Sequence, residues 1–276
     1  MSDERTVDKY IDRIVNADCM DVMDDMPDEC VDLTVTSPPY DNLRTYGDTL
    51  DWSFDIFREI AGRIYRVTKQ GGVVVWIVND ATVDGSETGT SFRQALYFKE
   101  IGFNLHDTMI WVKPNCFNFG SNRCYRQSFE YMFILSKGIP KTIHLISDVP
   151  AKSAGQVLKG ARKHSDGSRD VVPDFTCSDF RRRQNVWSVN VGIAKKSHPA
   201  IFPEQLVKDH ILSWSEEGDV VMDPFMGSGT TAIACRELDR RFIGMEKNPE
   251  YWQVCQERLE EDSSCQPMLP LFLGEM

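Results

Sequence analysis

Asp219 to Glu246 reads DVVMDPFMGSGTTAIACRELDRRFIGME, and this stretch decides the fold class. Its opening, Asp219 to Asp223, is a short apolar run that predicts a strand. Asp223-Pro224-Phe225-Met226-Gly227-Ser228-Gly229-Thr230-Thr231 follows as a glycine turn, with a helix expected over Thr230 to Leu238 and a second strand over Arg241 to Glu246. Glycines in such a turn let a ligand approach the backbone, and the helix that follows offers its first amides.

The same alternation runs back through the chain. A strand is expected at Arg13 to Asn16, a helix at about Met20 to Met26, and an apolar strand at Val31 to Thr36 that stops at Ser37-Pro38-Pro39-Tyr40, because two prolines cannot continue a ladder. A helix over Asp51 to Val67 precedes Gly71-Gly72, which punctuates the β run Val73 to Val78. Then come a helix at Ser91 to Ile101, strands at Thr108 to Val112 and Tyr131 to Leu135, and a helix at Pro203 to Leu212. Strands alternating with helices in this way predict an α/β fold with a doubly wound, mostly parallel sheet covered on both faces.

The glycine turn carries a first hint of chemistry. Glu246 closes the second strand, 23 positions after Asp223, where a carboxylate can accept both hydroxyls of a ribose. No lysine follows the second glycine, so a triphosphate would stay unneutralised. Thr-Thr-Ala after Gly229 is not the longer GxGxxG of dinucleotide sites. Carboxylates on both sides of the turn suit an adenosine cofactor with an ammonium or sulfonium charge, a description S-adenosylmethionine fits.

Ser37-Pro38-Pro39-Tyr40 is the sharpest signal. The prolines fix the backbone, so the Ser37 hydroxyl and the Pro38 carbonyl are expected as two acceptors at one point, with the Tyr40 ring as a stacking face. Two acceptors beside an aromatic plane receive a planar amine such as the exocyclic amino group of a nucleobase, reachable only once the base has left the duplex.

Taken together, these residues resemble the amino-type DNA methyltransferases that use S-adenosylmethionine, with the Rossmann-like fold of that family. Thr36 to Tyr40 is similar to the catalytic motif, Asp223 to Thr231 to the cofactor motif, and Phe242-Ile243-Gly244-Met245-Glu246 to the ribose-binding strand. His198-Pro199-Ala200-Ile201-Phe202-Pro203 resembles the segment that helps hold the methionine end, and Asn16-Ala17-Asp18-Cys19 the stretch whose acid contacts the adenine. Catalytic motif first, basic insert next and cofactor motif last is the β arrangement of the family. The resemblance implies direct transfer of the methyl group, with Ser37, Pro38, Pro39 and Tyr40 catalytic. It implies that Asp18, Cys19, His198, Asp223, Phe225, Gly227, Ser228, Gly229, Thr230, Thr231 and Glu246 surround the cofactor. None of the eight cysteines follows a proline, so the covalent route of C5-cytosine relatives is not expected. Serine before Pro-Pro-Tyr resembles the N4-cytosine enzymes, whereas Asp or Asn there resembles the N6-adenine ones. Cytosine is favoured and adenine is the alternative.

Charge bears on the partner. The 276 residues carry a net charge of −11, yet from Pro150 to Ala200 ten Lys or Arg face four Asp, so the remainder of the chain is far more acidic than the total suggests. Residues 1–137 and 196–276 are read as the catalytic and cofactor-binding domain, and 138–195, where the periodicity lapses, as a target-recognition segment. Lys159, Arg162, Lys163, Arg181, Arg182 and Arg183 are expected to contact DNA phosphates, Arg44 either to reach DNA from the loop after the catalytic motif or to pair with Asp48, and His164, Gln184 and Asn185 to reach base edges. Double-stranded DNA is thus the expected partner, and the resemblance adds a cognate restriction endonuclease and a homodimer as candidates. A non-catalytic nucleic-acid binder would need only the basic segment and would leave Ser37, Asp223 and Glu246 without a task.

Composition narrows the remaining classes. With 41% hydrophobic and 26% charged residues the chain is globular, and no run nears the roughly 18 apolar residues of a membrane span. The charged N-terminus, with no apolar segment behind it, points to a cytoplasmic protein. The eight cysteines contain no CxxC pair, which argues for reduced thiols over a zinc site.

Overall fold

The computed structural model describes residues 6–39, 52–115, 125–191 and 202–264, the side chains at 162, 163, 263 and 264 excepted. The first half runs β1 (Arg13–Val15), α1 (Cys19–Asp25), β2 (Val31–Thr36), α2 (Phe54–Val67), β3 (Thr68–Val78), the short pair β4 (Thr82–Val83) and β5 (Ser86–Glu87), α3 (Thr90–Glu100), β6 (Asn104–Val112) and β7 (Phe129–Ser136). The insert holds β8 (Val149–Pro150), β9 (Val157–Lys163), β10 (Arg169–Thr176), β11 (Phe180–Arg181) and β12 (Val186–Ser188). The chain continues with α4 (Glu204–Trp214), β13 (Val220–Asp223), α5 (Thr230–Glu237), β14 (Arg241–Met245) and α6 (Pro249–Ser264).

Eight strands form the main sheet in the order β1-β14-β13-β2-β3-β7-β6-β12. Only β7 runs against its neighbours, pairing antiparallel with β3 and β6, so the other seven share one direction. One core layer gathers Leu206, Val207 and Ile211 of α4 with Ala232 and Ile233 of α5 and Leu259 of α6. The opposite layer gathers Val22 of α1, Phe57, Ile60 and Ile64 of α2, and Phe98 of α3. A sheet covered on both faces has no solvent side. This is why all six residues of β2 are buried, Asp32, Thr34 and Thr36 among them.

Chain order reverses between β13 and β2. From β2 the crossover leads one way along the sheet to β3, and from β13 it leads the other way to β14, with α2 and α5 on opposite faces. Ligands bind at such a switch point, outside the carboxyl ends of the strands.

Two expectations change. The β run does not begin at Val73 after Gly71-Gly72. β3 starts at Thr68 and the glycines lie in a bulge, Gly71 at φ 81° and Gly72 so crowded that a Cβ would sit 2.9 Å from the Lys69 carbonyl oxygen and 3.0 Å from that of Asp32. The span 138–195 is also drawn one strand too wide. β12 pairs in parallel with β6, and Trp187, opposite Trp111, is buried in the core, so this strand belongs to the main sheet. Between them lie β9 and β10, an antiparallel hairpin with a bulge between Val172 and Phe175, and the clasp in which β8 pairs with β11. No helix among the described residues is long and apolar enough to cross a membrane.

Candidate active site at the carboxyl edge of the sheet

Four adjacent strands, β1, β14, β13 and β2, deliver their last residues to one edge. Asp18 follows β1 and caps α1, its Oδ1 accepting the Met20 amide at 2.9 Å while Lys247 Nζ sits 3.0 Å from Oδ2. Burial pushes the Asp18 carboxyl up, but the Met20 amide and the Lys247 ammonium outweigh it and hold it below the usual range. Glu246 follows β14. Its Oε2 accepts the Gly227 amide and its Oε1 the Asn248 amide, both at 2.8 Å, and burial raises its pKa. Each oxygen keeps a further lone pair for a hydroxyl donor.

At the centre of the row lies Asp223, with 3% of its surface exposed. Oδ1 accepts the Thr36 hydroxyl at 2.6 Å and the Phe225 amide at 3.1 Å, and Oδ2 accepts the Thr231 hydroxyl at 2.7 Å. Burial pushes its pKa up against these three donors. The sequence assigns this carboxylate to a cofactor charge. In the structure Oδ1 takes two donors and Oδ2 one, all from within the protein, joining the end of β2 to the glycine turn.

That turn is braced from behind by α6. Gly227 and Gly229 have φ of 57° and 82°, the left-handed region in which glycine is unstrained. Cys255 Sγ lies 3.0 Å from the Gly227 carbonyl, and Arg258 Nη1 donates to the Ser228 carbonyl, to Ser228 Oγ at 3.1 Å and to Thr230 Oγ1 at 3.4 Å. Ser228, Thr230 and Thr231 are buried, while the Phe225 ring is half-exposed with Trp52 edge-on at 5.7 Å between centroids. Beyond Thr36, Ser37 and Pro39 are half-buried and Pro38 buried, so the start of the proline motif borders the same edge.

The arrangement offers a backbone turn, an aromatic ring and two carboxylates with spare acceptor capacity. A family model described as DNA methylase, covering the N6 and N4 enzymes, matches residues 31–257. The chain belongs to the DNA methylases. Their methyl donor is S-adenosylmethionine. The chain is 52% identical over 240 residues to the orphan methyltransferase M.BamHII of Bacillus amyloliquefaciens, covering 83% of this chain and 89% of that one. It is 27% identical over 288 residues to the type II methyltransferase M.SmaI of Serratia marcescens, covering 90% of each. The fold is that of the PvuII DNA methyltransferase, described as cytosine-N4-specific, with a TM-score of 0.67 at 20% identity, 91% of this chain and 89% of that one being covered.

This methylase's own residues fit the donor. Glu246 can take ribose hydroxyls, Asp18 stands one strand away, and the half-exposed Phe225 gives an apolar wall beside the turn. Cys19 does not join them. Its side chain points into the core beneath α1, where burial raises its thiol pKa to about 12. Tyr40, Arg44 and His198 lie outside the described residues.

The basic residues of the methylase divide. Lys159 and Arg169 are exposed on the hairpin, where β9 also places residues 162 and 163, and Arg181 and Arg182 are exposed at and just after the clasp. Arg183 is not with them. Its Nη1 donates to Asp209 of α4 at 2.6 Å, its Nε to Asp148 at 2.8 Å, and its guanidinium lies 5.4 Å from the Trp187 ring centroid. These contacts, the Asp148 pair foremost, push its pKa further up. Asn185 likewise turns to the sheet edge, donating to the Thr108 carbonyl at 3.1 Å, and His164 pairs with Asp170 at 2.6 Å. Sequence reasoning gave Arg258, Cys255 and Trp52 no role, and Thr36 none beyond its place in the catalytic motif. Of these, Thr36 had a signal, a hydroxyl at the last position of an otherwise buried strand.

Proposed function

We propose that this methylase places a methyl group on the exocyclic N4 of cytosine in double-stranded DNA, acting on a base swung out of the helix. The observation that carries the reading is Ser37 before Pro38-Pro39 at the end of β2, beside the switch point. S-adenosylmethionine supplies an electrophilic methyl group when bound. The amino nitrogen of cytosine is a poor nucleophile because its lone pair is delocalised into the ring. Ser37 Oγ and the Pro38 carbonyl accept its N–H bonds, localise the pair and stabilise the positive charge that grows on nitrogen. Tyr40 stacks on the flipped base. On the donor side Glu246 accepts ribose hydroxyls, Asp18 reads the adenine and the turn from Phe225 to Thr231 packs on the methionine end.

The DNA-facing part is the insert. Lys159, Arg162 and Lys163 on β9, with Arg181 and Arg182 after it, neutralise phosphates, and this confined positive region explains how a chain of net charge −11 binds a polyanion. The test is to incubate the protein with unmodified duplex DNA and labelled S-adenosylmethionine, digest the product to nucleosides and identify the methylated one by mass spectrometry. N4-methylcytosine is expected, with at least a hundredfold loss of rate in Ser37→Ala, about the cost of deleting one group aimed at transition-state charge. N6-methyladenine overturns the base assignment, and no incorporation overturns the transferase reading.

A further inference from the structure

We propose that Asp223 is a positioning residue, a strut that sets the distance between the acceptor side and the donor side of the site instead of contacting the cofactor's charge. The strut crosses the switch point. Thr36, one residue before Ser37, donates to Oδ1 at 2.6 Å, while the Phe225 amide and the Thr231 hydroxyl, both in the cofactor motif, donate to Oδ1 and Oδ2 at 3.1 and 2.7 Å. Among the described residues, no pairing of β2 with β13 does this job at that level. The register of β13 and β2 pairs Val221 with Leu33 and Met222 with Thr34, and extends no further towards the catalytic edge. Beyond it the two motifs diverge, one into prolines and the other into glycines, and the buried carboxylate spans the gap.

Direct methyl transfer makes such a link consequential. The amine nitrogen and the methyl carbon must meet in line, and a displacement of about 1 Å at a reacting centre can cost on the order of a hundredfold in rate. The partners also tell a strut from a charge. Hydroxyls can accept as well as donate, so an asparagine at 223 keeps the span: its oxygen takes Thr36 and the Phe225 amide, and its amide nitrogen donates to a rotated Thr231 hydroxyl. A carboxylate needed for the positive charge of the donor allows no such exchange.

The inference rests on Ser37 lying on the acceptor side, and its binding arm is independent of which base is methylated. S-adenosylmethionine affinity is measured by calorimetry on the full chain, and kcat and KM by total methyl incorporation into unmodified duplex DNA. For Thr36→Val, kcat should fall about 10- to 100-fold while the KM for DNA and the Kd for S-adenosylmethionine stay within about threefold; Thr36→Ser should restore kcat to within about threefold. For Asp223→Asn, the Kd for S-adenosylmethionine should stay within about threefold of wild type. Should Thr36→Val not fold, Thr36→Ala removes the same hydroxyl with less bulk and should lower kcat at least tenfold. A tenfold or greater loss of S-adenosylmethionine affinity in Asp223→Asn overturns the proposal. So does an unchanged kcat in Thr36→Val, or a loss that Thr36→Ser does not repair. A wild-type protein that binds S-adenosylmethionine and methylates no DNA defeats the functional reading and leaves the affinity comparison standing.

Discussion

Replacing Arg183 by alanine separates a structural arginine from its exposed neighbours Arg181 and Arg182. Asp209 has 5% of its side chain exposed and receives Arg183 at 2.6 Å; without that guanidinium its carboxylate keeps, among the described residues, Gln205 Nε2 at 2.8 Å. Orphaning a buried charge costs about 3–5 kcal/mol. The Arg183 side chain is 24% exposed, so water recovers part of this and about 2–3 kcal/mol is expected. With an unfolding entropy near 2.1 cal/mol/K per residue, a chain of 276 residues should then lose about 3–5 °C in Tm. Adding Asp209→Asn removes the stranded charge and should recover much of that loss. Arg181→Ala and Arg182→Ala should each leave Tm within about 1 °C and lower the salt slope of DNA binding by roughly one unit. Thermal unfolding by circular dichroism and DNA titrations across a salt series read both quantities. If Arg183→Ala kept its Tm and lost salt slope like the other two, the assignment of Arg183 to the Asp148–Asp209 pair would be wrong.

Three further outcomes follow from other contacts. Arg258→Ala unbraces Ser228 and Thr230 and should weaken S-adenosylmethionine binding about tenfold by calorimetry, a charged hydrogen bond being worth roughly 1.5–3 kcal/mol; an unchanged Kd refutes the bracing. His210 is fully buried against Trp187, and burial lowers its pKa to about 3. The unfolded chain takes up that proton near pH 6.5 and the folded chain only near 3, so stability present above 6.5 is lost as the pH falls between those values. By pH 5 this amounts to about 2 kcal/mol, and urea titrations should show a shallower acid dependence in His210→Gln by that amount. Gly160→Ala places a Cβ 2.3 and 2.4 Å from the Pro173 and Val172 carbonyl oxygens, so the hairpin bulge must move. DNA affinity should drop about 5- to 10-fold with Tm within about 2 °C, since the hairpin strands are mostly exposed.

What the sequence disclosed follows burial. β2, β3, β13 and β14 are apolar because both faces of the sheet are covered, so their runs and the glycine turn could be placed from residue types alone. The hairpin could not. Val171 is 94% and Val157 67% exposed, so neither strand carries an apolar face and no alternation marks them. Burial also separates the site residues that sequence ranked alike: Cys19 and Asp18 are adjacent in one motif, yet one faces the core and the other lies at the carboxyl edge of the sheet. Asp223 was legible as a motif acid and not as a bond between strands, because its principal partner, Thr36, is 187 positions away. Arg183 looked like one third of a basic triplet until two carboxylates from different segments were found beside it.

The clasp of β8 and β11 has a consequence for how such proteins diversify. Val149 pairs with Arg181 and Pro150 with Phe180, so the chain leaves and re-enters the scaffold at nearly one point, with the hairpin wholly between the two crossings. Whatever is strung between those crossings can change length and sequence without altering the spacing of β7, β6 and β12. On the proposal that the hairpin faces DNA, the scaffold is a handle with an exchangeable head, and replacing about thirty residues would change what is read while the chemistry stays where it was.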